Sequence, residues 1–229
     1  MPIHKYFVQE NARRSEIDEY LSQDLKRAGY SRVEMTKTPL GTRVVVYAAK
    51  PGLVIGRRGE SIRDLTQVLE QRFGVQNPQI SVATLEAPEL DAKVVASQIA
   101  MALQRGIHFR RAAYWALQRT IEAGALGVEI SIRGKLTTDR ARYEKYKAGY
   151  LPSVGEAISK IVRFAVVDTQ LKQGLFGIRV RLMPPNVRLP DKPTIRDVPA
   201  EVAQPKPVPE PTETEPVEEV AEAAHTEEA

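Results

Sequence analysis

The chain has 229 residues, enough for one large domain or two small ones. It has no Cys, which excludes disulfide frameworks and thiolate metal sites, and its three His lie too far apart for a recognisable metal-ligand motif. The formal net charge of +4 hides an asymmetry, because residues 199–229 carry −8 and the preceding 198 residues therefore carry +12. A basic body of this kind indicates a polyanionic partner, nucleic acid first and an anionic membrane second.

The sequence contains neither a membrane-spanning pattern nor a signal-peptide pattern. No apolar run approaches the length of a membrane span, and residues 1–6 lack the apolar core of a signal peptide. We therefore expect a cytoplasmic protein that has no membrane partner and needs no metal or cofactor.

The first half of the chain predicts a small α+β domain over residues 15–86, preceded by a surface arm, residues 1–14. Apolar residues recur every three to four positions after Ser15, a residue that favours the helix N-cap, until Gly29 ends this helix. The pattern then predicts a strand (31–37), a second strand (42–49), one short helical turn (53–55), a helix (60–73) and a third strand (79–84).

The second half predicts another α+β domain over residues 87–185. Two amphipathic helices, which begin at about Asp91 and Phe109, are joined by a short hinge and are expected to form an antiparallel hairpin. From Val128 the apolar period changes to two, which predicts a strand with one solvent-facing side. A sheet of about four strands follows, with the strands expected at residues 128–133, 143–148, 160–167 and 176–183.

The C-terminal residues are expected to stay outside both domains. Residues 186–198 predict an extended segment, because Pro184 and Pro185 end the last strand. Residues 199–229 contain six Pro, nine Glu and no aromatic residue. Such a composition cannot bury enough apolar surface to offset chain entropy, so it predicts a disordered acidic tail.

The loop Gly56-Arg57-Arg58-Gly59 lies between an apolar turn and a predicted helix. Its two glycines allow a tight backbone turn whose N–H groups are unobstructed, and the following helix N-terminus favours an anion. The two guanidinium groups add charge and forked donors for phosphate, and the apolar residues Val54 and Ile55 suit the faces of unpaired bases. Together these features indicate a clamp on about four nucleotides, the KH mode of RNA binding.

Other phosphate-binding motifs do not fit this loop. A P-loop needs four residues between its first two glycines and a following Lys-Ser/Thr, whereas Gly52 and Gly56 enclose three and Arg57 follows. A dinucleotide-binding fingerprint needs an initial G-x-G, which is absent. The alternative is structural: the two glycines of the loop connect two helices and its arginines are merely solvated.

The order helix–strand–strand–helix–helix–strand around this loop resembles a type II KH domain. Further along the chain, four segments resemble, in order, the C-terminal domain of the small-subunit ribosomal protein three family, and the likeness extends over about residues 1–185. The segment around Asp168 and the Pro/Glu-rich tail resemble the archaeal and eukaryotic branch of that family. The four segments are residues 109–112 (FRRA), 124–130 (GALGVEI), 133–136 (RGKL) and 173–180 (QGLFGIRV).

The resemblance implies a function without catalysis in the head of the small ribosomal subunit. Members of the family bind small-subunit ribosomal RNA, neighbour other ribosomal proteins of the head and line the channel by which messenger RNA enters. In bacterial members, basic residues on the second helix of the C-terminal domain help to open structured messenger RNA. Arg110 and Arg111 match two of these positions, whereas Tyr114 stands where bacterial members carry Lys.

The residues themselves agree with an RNA-binding surface in this half of the chain. Arg110, Arg111 and Tyr114 fall on the helix face opposite Phe109, while Trp115 is expected to pack in the core. Residues 105–147 hold ten Lys or Arg against four Asp or Glu, a density typical of phosphate neutralisation. Besides the loop and the arginine pair, the candidate RNA-binding residues are Arg133, Lys135, Arg140, Arg142, Lys145 and Lys147.

Two alternatives to a ribosomal component remain at this point. One is a nucleic-acid-cleaving repair enzyme, an activity attributed to some eukaryotic relatives, with Lys135 as the candidate Schiff-base lysine. Its carboxylates are scattered, which argues against a hydrolytic metal site. The other is a KH protein that binds messenger RNA away from the ribosome. Borohydride trapping on abasic DNA distinguishes the first alternative, and cosedimentation with small subunits distinguishes the second.

Overall fold

The computed structural model of the chain describes residues 3–187, except for the side chain of Ala157. Their elements divide between two sheets, each with its own apolar core. The first six elements are α1 (Ile3–Asp24), β1 (Tyr30–Thr38), β2 (Gly41–Ala48), α2 (Pro51–Ile55), α3 (Glu60–Gln71) and β3 (Pro78–Thr84). The remaining seven are α4 (Ala92–Gln104), α5 (Phe109–Glu122), β4 (Gly127–Gly134), β5 (Arg142–Gly149), α6 (Glu156–Ile161), β6 (Arg163–Leu171) and β7 (Gly174–Met183).

The first sheet has the order β1-β2-β3 and confirms the predicted αββααβ arrangement. β1 and β2 form an antiparallel hairpin, whereas β3 pairs parallel to β2, so the chain must cross over through α2 and α3. Ile17 and Leu21 of α1, Val44 and Val46 of β2 and Leu69 of α3 are almost fully buried between the helices and the sheet. This packing fixes the position of the glycine loop that joins α2 to α3.

The second sheet is wholly antiparallel, with the order β5-β4-β7-β6. Helices α4 and α5 cover one of its faces, and the core between them contains Ile130 and Ile132 from β4 and Ile178 and Val180 from β7, none of which is exposed. The four-stranded sheet following two helices is the arrangement that the sequence predicts. The fold class is α+β.

Helix α1 is longer than expected. Residues 3–14, predicted as an arm, form its first half, and Ser15 lies inside the helix instead of at the N-cap. No Gly or Pro interrupts residues 3–24, and strong helix formers such as Glu10, Ala12 and Arg13 precede Ser15, so the chain continues as one helix on the surface. An exposed contact ties this half to the hairpin, because Lys37 Nζ lies 3.0 Å from both Tyr6 Oη and Glu10 Oε1.

Strand β4 is buried on both sides from Gly127 to Ile132, which corrects the predicted solvent-facing side, and Arg133 near its end is exposed. Glu129 and Ser131, which alternate with its apolar residues, are 5% and 1% exposed. The strand lies in the middle of the sheet, and its register places Lys147 and Arg181 on either side of Glu129 and Lys145 and Arg179 on either side of Ser131. Long side chains from both neighbouring strands therefore exclude water from positions that polarity alone predicts to be wet.

Two further differences concern the end of the second domain. The segment predicted as a strand from Lys160 begins as the short helix α6, which Gly155 precedes with a φ of +83° and in which Glu156 and Lys160 form an ion pair of 2.6 Å. β6 starts only at Arg163. The predicted extended segment 186–198 and disordered tail 199–229 lie, apart from residues 186 and 187, outside the described residues. None of the helices described between residues 3 and 187 is both long and apolar enough to cross a bilayer.

Replacing Ile130 by alanine should destabilise the protein by about 2–5 kcal/mol, because the lost methyl groups leave a cavity in the middle of the second core. Urea unfolding followed by circular dichroism measures this free energy. Val154→Ala is the control, since Val154 is 82% exposed and should change the free energy of unfolding by no more than about 0.5 kcal/mol. Equal effects of the two substitutions would contradict the described core.

Candidate nucleic-acid interface

The glycine loop has a backbone that depends on its glycines. Gly56 follows α2 with φ +72° and ψ −178°, and Arg58 and Gly59 also have positive φ angles of 53° and 77°. A Cβ at Gly56 would come within 2.2 Å of Ser61 Oγ, so no other residue fits there without movement of α3. The loop therefore turns sharply and leads directly into the N-terminus of α3 at Glu60.

The charged side chains of this loop are available to a ligand. Arg57 and Arg58 are exposed, and neither forms an ion pair with any residue between 3 and 187. Of the two apolar residues that the sequence places beneath the bases, Val54 is fully buried in the first core, which is a correction. Leu53 and Ile55, at 55% and 41% exposure, are the apolar groups that a bound base would meet.

The arginine pair on α5 is exposed, but its two members differ. Arg110 donates from Nε to Glu144 Oε2 (3.4 Å) and from Nη2 to Glu144 Oε1 (3.2 Å), a two-pronged contact with strand β5. Arg111 forms no ion pair within the described part of the chain. Arg111 is therefore free to bind a phosphate as it stands, whereas Arg110 must exchange a carboxylate for it.

Two tyrosines extend the contact between Arg110 and Glu144. The hydroxyl group of Tyr146 donates a hydrogen bond to Glu144 Oε2. The exposed ring of Tyr114 packs edge-on against the ring of Tyr146, with 5.1 Å between the ring centroids. The hydrogen bond from Arg110, and after it the one from Tyr146, lowers the pKa of Glu144 below its ordinary value. Burial of the phenol, followed by its bond to Glu144, raises the pKa of Tyr146. The carboxylate thus stays charged and holds two neighbouring side chains, Arg110 and Tyr146, in place.

Trp115 does not pack in the core, contrary to the sequence prediction. It is 48% exposed, and the Arg119 guanidinium lies 5.3 Å from its ring centroid. Arg119 in turn donates to Glu89 at 2.8 Å. The buried face of α5 is formed instead by small residues, chiefly Ala112, Ala113 and Ala116, which allow the helix to approach the sheet closely and leave the indole outside.

The remaining predicted cations are all exposed on β4, β5 and the loop between them. Lys145 and Lys147 are brought together by Glu129, whose carboxylate oxygens lie 3.9 and 3.2 Å from their Nζ atoms. The other four are Arg133, Lys135, Arg140 and Arg142. The glycine loop belongs to the other core, so the predicted residues form two basic regions, one associated with each core.

Sequence reasoning missed two members of the second region, Arg179 and Arg181. Both lie on β7, in register with Ser131 and Glu129 of β4. Their alternation with the buried Ile178, Val180 and Leu182 was visible in the sequence, but only strand order shows that they adjoin Lys145 and Lys147 across β4. Among residues 3–187, no group of three or more His, Cys, Asp or Glu is placed to hold a metal ion.

Comparison with known proteins divides the chain into the same two domains. A KH domain family matches residues 16–90, and the family described as "Ribosomal protein S3, C-terminal domain" matches residues 99–182. The small ribosomal subunit protein uS3 of Methanocaldococcus jannaschii is 48% identical over 195 residues, which cover 85% of this chain and 94% of that protein. The chain belongs to the ribosomal protein S3 family.

Other uS3 proteins give similar agreement. That of Methanothermobacter thermautotrophicus is 49% identical over 190 residues, or 83% of this chain and 74% of the relative. That of Saccharolobus solfataricus is 44% identical over 198 residues, or 86% of each chain. The predicted resemblance to an archaeal or eukaryotic-type uS3 protein with an N-terminal KH domain is confirmed. The individual RNA-binding residues stay predictions.

Removing Arg110 should raise the pKa of Glu144 towards the ordinary glutamate range, because its largest stabilising contact is lost. Carboxyl-carbon NMR titration of Arg110→Ala measures this shift. Since the folded-state pKa is the lower one, the contact stabilises the fold above the unfolded pKa and loses this effect as the pH falls through the folded value. Arg111→Ala is the matched control and should leave the titration of Glu144 unchanged. An unshifted Glu144 in the Arg110 variant would contradict the contact.

Proposed function

We propose that this protein is a structural component of the small ribosomal subunit that binds small-subunit ribosomal RNA. The observation that carries the proposal is a glycine loop with positive φ angles whose Arg57 and Arg58 form no ion pair with residues 3–187, in a chain that matches uS3 proteins along most of its length. Such a loop presents backbone N–H groups and two guanidinium groups to a phosphodiester backbone. The proposed role of the protein is to bind and position RNA without catalysis. It does so on ribosomes in the cytoplasm, beside other proteins of the subunit head.

Cosedimentation tests this proposal directly. In a lysate of the source cells, the protein should migrate with small subunits, and crosslinking within purified subunits should join the glycine loop to ribosomal RNA. A substantial pool of the protein away from small subunits would favour the free KH regulator instead. Salt-washed subunits provide the control for loosely attached protein, since electrostatic attachment weakens steeply with ionic strength.

Reversing both charges of the loop, Arg57→Asp with Arg58→Asp, should weaken RNA binding by at least about tenfold, because two charged donors are lost. The slope of log affinity against log salt should fall by about 0.7 for each lost contact to a single strand. Fluorescence anisotropy with a labelled single-stranded RNA measures both quantities.

A matched control changes two exposed cations elsewhere in the same domain, Lys26→Asp with Arg27→Asp. It carries the same charge change and should lower the affinity far less. Circular dichroism should be the same for both double variants, since all four side chains are exposed. Equal losses in the two variants would mean that net charge, and not the loop, determines binding.

We further propose that α5 contacts messenger RNA where it enters the subunit. Arg111 forms no ion pair with the described residues 3–187, and Arg110 lies one residue away with its guanidinium held by Glu144. Tyr114, 61% exposed, occupies the next position on this face. A helix with one free and one tethered arginine supplies fewer immediate phosphate contacts than a helix with three free cations.

Subunits carrying Arg111→Ala should translate a message with a stable hairpin more slowly, while an unstructured message should be affected little. Arg110→Ala should have the smaller effect, because its group starts paired with Glu144. Tyr114→Lys, which introduces the residue of the bacterial members, should speed translation through the hairpin. Single-turnover translation with reconstituted subunits measures these rates. If none of the three substitutions changes the rate of translation through the hairpin, the message does not contact this face of α5.

A further inference from the structure

The face of the second sheet opposite α4 and α5 is called the outer face. The contacts proposed for the glycine loop and for α5 do not involve it. Strand register arranges its residues in three rows across the four strands. The rows, read from β5 to β6, are Lys147, Glu129, Arg181 and Phe164, then Lys145, Ser131, Arg179 and Val166, then Tyr143, Arg133, Gly177 and Asp168.

The outer face is positively charged at its centre. Its five cations stand against two carboxylates, and one of these, Glu129, is buried beneath Lys145 and Lys147. A single carboxylate cannot neutralise two ammonium groups, so it fixes both in position and leaves an excess of positive charge. Within residues 3–187, Arg179 and Arg181 have no carboxylate partner. The face is therefore complementary to a polyanion.

An exposed aromatic ring stands on each edge strand of this face. Phe164 on β6 is 57% exposed, with the Arg179 guanidinium 5.5 Å from its ring centroid. Tyr143 on β5 is 64% exposed, with the Arg133 guanidinium 5.9 Å from its ring centroid. Three strand spacings separate the two edges, a distance of about 14 Å. Aromatic rings interleaved with arginines on an open sheet are the groups on which unpaired bases stack.

The middle of the face also holds an unsatisfied polar group. Ser131 Oγ is buried and has no hydrogen-bond partner among the described residues. Its neighbours on the two flanking strands are Lys145 and Arg179. A ligand that drew either cation towards a phosphate would open access to this hydroxyl, which can both donate to and accept from a ribose or a base edge.

We propose that the outer face binds an unpaired stretch of RNA, with bases stacked on Phe164 and Tyr143 and with phosphates held by Arg179, Arg181 and the lysine pair. The choice of RNA rests on the proposed function, but the site is separate from the glycine loop and from α5. A protein partner fits this face less well, because protein interfaces are depleted of Lys and Glu, and this face carries Lys145, Lys147 and Glu129.

Phe164→Leu in the full chain tests the stacking. Leucine keeps an apolar side chain at an exposed position but removes the aromatic face. The variant should bind a labelled mixed-sequence single-stranded RNA about 5- to 150-fold more weakly than the parent, while binding of a blunt RNA duplex changes little. Phe7→Leu on α1 is the matched control, because Phe7 is 58% exposed, and it should bind as the parent does.

Arg179→Gln tests the charge independently of Phe164. It should reduce the salt slope for the single strand by about 0.7, the loss of one phosphate contact. Unchanged circular dichroism and melting temperature in both variants exclude a folding defect. Ultraviolet crosslinking of the parent should join RNA to peptides that contain Phe164 or Tyr143, and should still do so when Arg57 and Arg58 are replaced.

The outcomes separate this inference from the proposed function. Failure of the parent itself to bind RNA overturns both. If the parent binds RNA and the variants Phe164→Leu and Arg179→Gln bind it equally well, the inference about the outer face is wrong and the proposed function stands. Normal RNA binding by these variants together with loss of their incorporation into small subunits identifies the face as a docking surface for a neighbouring protein, and also overturns the inference.

Discussion

Strand β4 is buried on both faces from Gly127 to Ile132 although only one face is apolar, and the second domain depends on how this is achieved. On the inner side, Ile130 and Ile132 pack against the helices. On the outer side, Glu129 is kept from water by cations of the flanking strands, and its ion pairs offset the desolvation of its carboxylate. The strand that holds the sheet together therefore also fixes the spacing of the basic groups on its surface.

The two regions proposed to bind RNA share one arrangement, in which a rigid element carries cations that the residues between 3 and 187 neutralise only in part. In the first domain the rigidity comes from Gly56, where the Ser61 side chain leaves no room for a Cβ. In the second it comes from carboxylates, since Glu129 places two lysines and Glu144 places Arg110. A phosphate that replaces such a carboxylate contact finds the cation already positioned, which lowers the entropy cost of binding.

Local patterns in the sequence are enough for the order of the elements other than α6, for the glycine loop and for the exposure of Arg110 and Arg111. These features depend on residues within a few positions of one another. The burial of Glu129 and the pairing of Arg110 with a residue 34 positions away depend on strand order, which periodicity does not reveal. Trp115 was misplaced for a related reason: the alanines of α5 set how closely the helix approaches the sheet, and an indole does not fit into that gap.

The first half of α1 has a different basis for its stability from the second half. Ile17 and Leu21 anchor the second half in the first core, whereas the residues before them are held to the domain by Lys37 through exposed polar contacts with Tyr6 and Glu10. Contacts of this kind are screened at high ionic strength, while apolar packing is not. The contacts of the first half of this continuous helix are therefore weakened by salt, whereas those of the second half are not.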